Sequence, residues 1–353
     1  MSSEYDASVP VRRARNIKAL TRRVGLRMVQ LEELTLRRRR RGRMFGYLDQ
    51  RGELIRSKKT RARLAALAVP PAYEDVRYAA DPRAHIQAVG RDAAGRLQYR
   101  YHPDWEKVRE QRKRRHLMRL TAAMPKLRKR LARHLAGTSP TRELALAAAI
   151  ELIATTALRP GSTACARAHG SRGAVTLLKR NVRIKDGRLS LDFAAKGGKR
   201  VHKTCESPSL VRAVTVLQKL PGRRLFQYRG EEGRVHRVRR AQVNDFLRTL
   251  GECEISLKDL RTLHASAAMV ERLACTAPAA NASVRRKQIL RAVREVADAL
   301  ANTPAICRRS YVHETVVTAF EAGNLKRYAA AFKRARTPAR REAVLAKVVA
   351  AAR

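Results

Sequence analysis

At Pro103 the spacing of apolar residues along this chain changes period, and that change narrows the folds open to it. Over residues 44–102, short alternating segments are separated by turn residues. FGYLDQRGELI carries a turn at residues 49–52, and HIQAVGRDAAGRLQYRYH carries one at residues 92–95 between two runs of period two. The pair Pro70 and Pro71 separates a short helix, residues 59–67, from the strand that follows. Past Pro103 the spacing becomes helical, beginning with the densely charged DWEKVREQRKRRHLMRL. The expected fold is α+β: a small strand-rich N-terminal domain and a larger, mainly α-helical domain carrying a small β-hairpin sheet.

Within the helical part, Ser139 and Pro140 read as an N-cap and first-turn pair, and apolar spacing then persists to Leu158, where Arg159, Pro160 and Gly161 stop the helix. Arg159 is thereby placed at a helix end beside an irregular loop. Two hairpins follow: VRIK, a turn at Asp186 and Gly187, RLSLDFAAK, a turn at Gly197 and Gly198, then KRVHKT. Lys196 and Lys199 flank the second tip. Helices are expected from Ser207 onward, including AQVNDFLRTLG, KDLRTLHASAAMVERLA, residues 284–301, the segment of Tyr311 and a last helix opened by Thr337 and Pro338. The domain boundaries read as a flexible basic extension (1–23), a strand-rich domain (24–108), a helical domain (109–323) and a basic helical tail (324–353). That tail holds nine basic residues against the single acid Glu342.

Charge then selects the partner. The sequence carries 78 Lys and Arg against 30 Asp and Glu, a net charge of +48. Such a field repels itself and is relieved by a polyanion, because phosphates neutralised by Lys and Arg release condensed counterions. A membrane role would need a long apolar span or a basic amphipathic anchor, and the longest clear apolar run, residues 144–150, stops at Glu151. No secretory apolar region follows the early basic residues, so the chain reads as cytoplasmic and nucleoid-associated. The run RRRRRGR, residues 37–43, reads as a solvated loop or phosphate-contacting arm. Cys165, Cys205, Cys253, Cys275 and Cys307 show neither CxxC nor zinc-type His spacing, and read as reduced and structural.

The stretch NTPAICRRSYVHETVV places Tyr311 behind Arg308 and Arg309 at a helix edge. Alone, such a tyrosine is packing. Together with Arg159 at a helix end, Lys196 at a hairpin tip and Arg261 in KDLRTLH, in this order, it resembles the catalytic set of the short type IB DNA topoisomerases of poxviruses and bacteria. The resemblance extends through PPAYEDVRYAADPRAHIQAVGRDAAGRLQYRYHPDW, LRPGSTACARAHGSRGAVTLLKRNV, LDFAAKGGK, SLKDLRT and NTPAICRRSYVH, over roughly residues 25–323.

The resemblance implies a monomeric clamp closing on double-stranded DNA and relaxing positive and negative supercoils by transient single-strand cleavage, without ATP, metal or other cofactor. It assigns Tyr311 as the nucleophile of a 3′-phosphotyrosyl intermediate, Arg159 and Arg261 as guanidinium forks on the non-bridging oxygens, and Lys196 as general acid, with Lys199 more suited to a phosphate or water. Those residue types suit the chemistry. A phenol with a pKa near 10 is a weak nucleophile that needs a polarised phosphodiester, and planar forks stabilise the charge growing on phosphorus. Asn302 stands where poxvirus enzymes carry a histidine; its amide can donate a hydrogen bond to a non-bridging oxygen but carries no proton, and helix capping is its other reading. Gln98, Tyr99 and Tyr101 match a DNA-contacting QYxY. Tyr99 and Tyr101 share one strand face, so both point to DNA or both point inward. Ser162, Cys165 and Arg172 depart from the residues usual around the first arginine, and His264 and His313 read as structural, with a DNA contact the minor reading for His264.

Two rivals remain at this level. A tyrosine site-specific recombinase uses the same tyrosine, arginines and lysine, but usually carries histidine three residues before the second arginine, where this chain has Lys258; Lys258 reads as a DNA contact. A non-enzymatic nucleoid-compacting protein would satisfy the charge alone.

Overall fold

The computed structural model describes residues 11–42 and 44–351, and the chain divides into two compact units, residues 1–113 and 114–353. In the first, β1 (Leu36–Arg41), β2 (Met44–Leu48), β3 (Glu74–Tyr78), β4 (Ile86–Arg91) and β5 (Leu97–Tyr101) form a five-stranded antiparallel sheet of order β2-β1-β3-β4-β5. Helices α1 (Val11–Arg23) and α2 (Lys58–Ala66) accompany it. The expectation of a flexible extension falls partly, over residues 1–10, outside the described residues. From Val11 it is replaced by helix α1, whose Leu20 is buried in a cluster with Leu26, Trp105 and Val108. Burial of apolar side chains on one helix face supplies the order that polar composition had hidden.

The arginine run is also not a loop. Up to Arg41 it is strand β1, paired along its length with β2 from Arg37 opposite Leu48 to Arg41 opposite Met44; Arg43 lies outside the described residues. Its backbone is satisfied by the ladder while most of its guanidiniums reach water on flexible stems. Arg38 instead turns inward, donates to the carbonyls of Val69, Pro70 and Tyr73 at 3.0, 3.1 and 2.7 Å, and lies 4.1 Å over the Phe45 ring.

Helix α3 (Trp105–Leu135) begins in the first unit and continues into the second. There, α4 (Arg142–Thr156) runs through the core with residues 144–150 all buried. Its cap is Thr141, accepting from Leu144 N at 3.2 Å, rather than Ser139, because the Pro140 carbonyl is taken by Arg229 N at 2.9 Å. After α5 (Thr163–Ala168) come β6 (Val182–Lys185), β7 (Arg188–Ala194) and β8 (Arg200–Cys205), a three-stranded sheet in sequence order joined by the two expected hairpin turns.

The expectation of unbroken helices after Ser207 is corrected at one place. Between α6 (Pro208–Gln218) and α7 (Arg240–Gly251), β9 (Gln227–Arg229) and β10 (Val235–Arg237) form a two-stranded ribbon, its turn closed by Gly230 N to Arg234 O and by Gly233 at φ +74°. Helices α8 (Leu257–Ala274), α9 (Ala282–Ala299), α10 (Pro304–Ser310), α11 (Glu314–Glu321), α12 (Ala329–Arg334) and α13 (Pro338–Ala351) complete the unit. The last helix is not an appended basic tail: Val344, Leu345, Val348 and Val349 are buried in the main core, and Glu342 takes a two-pronged ion pair from Arg128 of α3 at 2.6 and 2.8 Å. Among the described residues, no helix is long and apolar enough to cross a membrane.

Candidate active site

The second unit brings the ends of α4 and α9 together, and both ends present carbonyls that side chains rather than the helix satisfy. The last carbonyls of a helix lack intrahelical partners and carry the negative end of its dipole. Ala157, in the left-handed region at φ 54°, closes α4; Leu300 closes α9, followed by Ala301 at φ 51°. Arg261 of α8, only 1% exposed, donates to Ala157 O at 2.5 Å and to Leu300 O at 3.3 Å. Arg159 donates to Ala301 O at 3.0 Å and to Asn302 Oδ1. Each catalytic-type guanidinium is thus oriented by backbone oxygens of these two ends.

The loop bearing Arg159 is fixed from the other side. Its carbonyl accepts from Ala174 N at 2.8 Å and that of Pro160 from Val175 N at 2.9 Å. The two strands of this loop approach so closely at Gly161 and Gly173 that a Cβ on Gly173 would stand 2.5 Å from Arg159 O, so glycine is required there.

Tyr311 terminates α10, which is opened by Thr303 capping Ile306 N and by Pro304 in the first turn. Its amide donates to Cys307 O at 2.9 Å, and its carbonyl accepts from Ser266 Oγ of α8 at 3.2 Å. An ion pair of Arg308 with Glu314, at 2.6 Å, spans the turn. The half-buried phenol ring lies with its centroid 5.1 Å from the Arg261 guanidinium carbon. Burial pushes the Arg261 pKa down, Tyr311 opposes that fall and Arg159 adds to it; so high is the ordinary value that the group stays charged. Arg261 Nε and Asn302 Nδ2 are buried donors with no hydrogen-bond partner among the described residues. Buried donors are nearly always paired, so this pair leaves capacity for an acceptor from outside the protein.

The structure therefore gathers Tyr311, Arg159, Arg261 and Asn302. It does not gather Lys196 with them: Lys196 stands exposed on the β7–β8 tip, in a turn through Gly197 and Gly198 at φ 78° and 73° that is closed by Ala195 N to Lys199 O at 2.8 Å. The Lys199 side chain is exposed there too, and Lys258 is exposed in the first turn of α8. Asn302 follows α9 and receives Arg159; the cap of α10 is Thr303. In the first unit, Tyr99 and Tyr101 both face the core cluster of Val29, Ile86 and Val89, stacked on each other at 5.9 Å while remaining half-exposed. Gln98, on the opposite strand face, donates to Asp92 Oδ2 at 2.8 Å. His313 caps α11 through Thr315 N. Burial, reinforced by Lys203, Arg341 and Arg261, pushes His264 down to about 4, leaving it neutral.

Sequence reasoning missed Lys203. On β8 the residues alternate, with Val201 and Cys205 buried and His202 and Thr204 exposed, which puts Lys203 on the inward face. Its ammonium donates to Thr156 O and, at 2.7 Å, to Ala299 O, the carbonyls adjacent to those that seat Arg261. Burial, aided by Arg261, lowers its pKa to about 8. A lysine in an inward slot of a clean alternation was the available signal.

Comparison with known sequences matches the same regions. The family described as the catalytic core of eukaryotic DNA topoisomerase I matches residues 102–338, and the N-terminal domain of bacterial DNA topoisomerase IB matches residues 44–92. DNA topoisomerase 1B of Acanthamoeba polyphaga mimivirus is 29% identical over 276 residues, covering 76% of this chain and 82% of that relative.

Proposed function

Because the chain belongs to the type IB DNA topoisomerase family, and is thus an isomerase acting on DNA, we propose that it relaxes supercoils of either sign through a covalent 3′-phosphotyrosyl intermediate on Tyr311. The observation that carries this reading is the Arg261 guanidinium over the Tyr311 ring, in a pocket that also holds Arg159 and a spare Asn302 donor.

In the proposed reaction the Tyr311 oxygen attacks a backbone phosphorus of one strand. The new O–P bond forms as the bond to the 5′-oxygen breaks, the phenol gives up its proton, and the departing sugar oxygen gains one. Arg159 and Arg261 hold the non-bridging oxygens as negative charge grows, each donor of this kind being worth about a hundredfold to a thousandfold in rate. Asn302 Nδ2 adds a neutral donor. Lys196 supplies the proton to the leaving oxygen, reaching it by movement of the exposed hairpin around Gly197 and Gly198. One phosphodiester replaces another, so the bond energy is kept and religation needs neither ATP nor metal. The free end turns about the intact strand before the 5′-hydroxyl reverses the attack. The likeness of residues 44–92 to a bacterial topoisomerase IB N-terminal domain favours this over strand exchange by a recombinase.

The test mixes purified protein with supercoiled plasmid in EDTA without ATP, wild type beside Tyr311→Phe. Relaxation and a denaturant-trapped protein–DNA adduct are expected from wild type only. Absence of relaxation, or equal relaxation by the variant, overturns the reading.

A further inference from the structure

We propose that Lys203 is a positioning residue for strand cleavage, a brace that ties the lysine hairpin to the two helix ends on which the arginines are seated; this rests on the reading of Tyr311, Arg159 and Arg261 given above. Five carbonyls at the ends of α4 and α9 are shared among three cations. Lys203 takes Thr156 and Ala299, Arg261 takes Ala157 and Leu300, and Arg159 takes Ala301. Lys203 and Arg261 each span from one helix end to the other, so each fixes the separation of the two ends. Arg159 follows α4 directly in the chain yet donates to a carbonyl after α9, so its fork is aimed correctly only while that separation holds.

Lys203 alone of the three comes from the sheet. It lies on β8 opposite Leu191 of β7, and the same strand runs back through Arg200 to the tip that carries Lys196. Fixing Lys203 therefore fixes the root of the hairpin relative to the pocket, while the glycine-containing tip beyond it is exposed. Around the ammonium stand Arg261 and His264 of α8, with Arg341 of α13 acting on the same histidine, and Arg183 of β6 and Asp192 of β7 line the adjoining open face of the sheet. Asp192 is engaged by Arg200 at 2.8 Å, so Lys203 is held by carbonyl oxygens rather than by a carboxylate. Backbone acceptors of this kind do not move with side-chain rotamers, which suits a brace.

The experiment compares wild type, Lys203→Met and Lys203→Arg on one duplex, measuring affinity and the single-turnover rate of adduct formation at saturating DNA in the same samples. Lys203→Met is expected to bind within threefold of wild type, which shows the fold intact, and to cleave about a hundredfold more slowly, since a displacement near 1 Å of a reacting group has that effect. Lys203→Arg, which keeps N–H donors on a long stem, is expected to regain at least tenfold of that loss. A double variant with Arg261→Ala is expected to cleave no more than a few-fold more slowly than Arg261→Ala alone, because both losses act through one seat. Cleavage by Lys203→Met at the wild-type rate overturns the inference, as does a loss that appears equally in affinity and rate, or one that multiplies in full with Arg261→Ala. A wild-type protein that forms no adduct overturns the reading of Tyr311 instead.

Discussion

The pocket at the ends of α4 and α9 and the tip of the β7–β8 hairpin hold cations in opposite ways. In the pocket, Arg159, Arg261 and Lys203 are wholly or partly buried and donate to backbone carbonyls whose positions are set by two helices. On the tip, Lys196 and Lys199 are exposed on a turn built from two glycines in the left-handed region. Charge stabilisation at phosphorus works best when donors are aimed before the reaction begins, since reorienting them would consume much of their benefit. A proton donor needs to arrive only at the leaving oxygen. Fixed seating for the electrostatic groups and an exposed tip for the proposed acid are what that division of labour requires.

The largest effects should come from splitting the two. Lys196→Ala removes the proposed acid and is expected to slow cleavage by about 10²–10⁴, with no change in melting temperature because the side chain is exposed. Arg261→Ala should slow it by about 10²–10³ and lower the melting temperature as well, leaving Ala157 O and Leu300 O without the partner they have here. A substrate whose leaving 5′-oxygen is replaced by sulfur departs as a thiolate and needs no proton. On that substrate Lys196→Ala should recover nearly all its rate while Arg261→Ala recovers none. Equal recovery by both would erase the distinction between tip and pocket.

A smaller effect follows from the burial of Lys203. Its pKa is lowered from 10.5 to about 8 in the fold, so between those values the unfolded chain holds a proton that the folded chain has released. Unfolding then takes up a proton, and stability rises with pH across that window. Below pH 8 the buried ammonium is retained at a cost on the order of 3 kcal/mol. The unfolding free energy of wild type should climb relative to Lys203→Met as pH goes from 8 to 10.5, measured by denaturant titration at each pH. A flat difference would mean that the two carbonyls compensate the burial of the charge.

Much of this contrast was legible in the sequence. The turns at Asp186 and Gly187 and at Gly197 and Gly198 defined the hairpins, and Pro160 with Gly161 marked where Arg159 must leave its helix. Local chemistry determines such features. What stayed hidden depends on distant partners. The strand nature of the arginine run is decided by pairing with β2, and the place of α13 by packing Val344, Leu345, Val348 and Val349 into a core built from distant segments. Ser139 made a plausible cap until the Pro140 carbonyl was claimed by Arg229 of β9. Lys203 lay between the two cases: its inward slot could be read from alternation, but its partners are carbonyls, which no sequence pattern names.

The smallest effect tests whether the pocket relies on charge or on direction. Asn302 is 3% exposed, accepts from Arg159 through Oδ1 and keeps Nδ2 unpartnered. If it only orients Arg159, then Asn302→Asp, which keeps the acceptor, should cleave as well as wild type. If Nδ2 also donates to a non-bridging oxygen, Asn302→Asp replaces that donor with a negative charge and should be slower than Asn302→Ala. The expected order of single-turnover rates is wild type, then Asn302→Ala at about tenfold less, the cost of one hydrogen bond to a charged group, then Asn302→Asp. Asn302→His offers a donor that can carry a proton, and should match or exceed wild type at pH 6 and lose that advantage by pH 8, as the imidazole becomes neutral. A rate for Asn302→Asp equal to wild type would confine Asn302 to holding Arg159, and the stabilisation of the transition state would then fall to the guanidiniums alone.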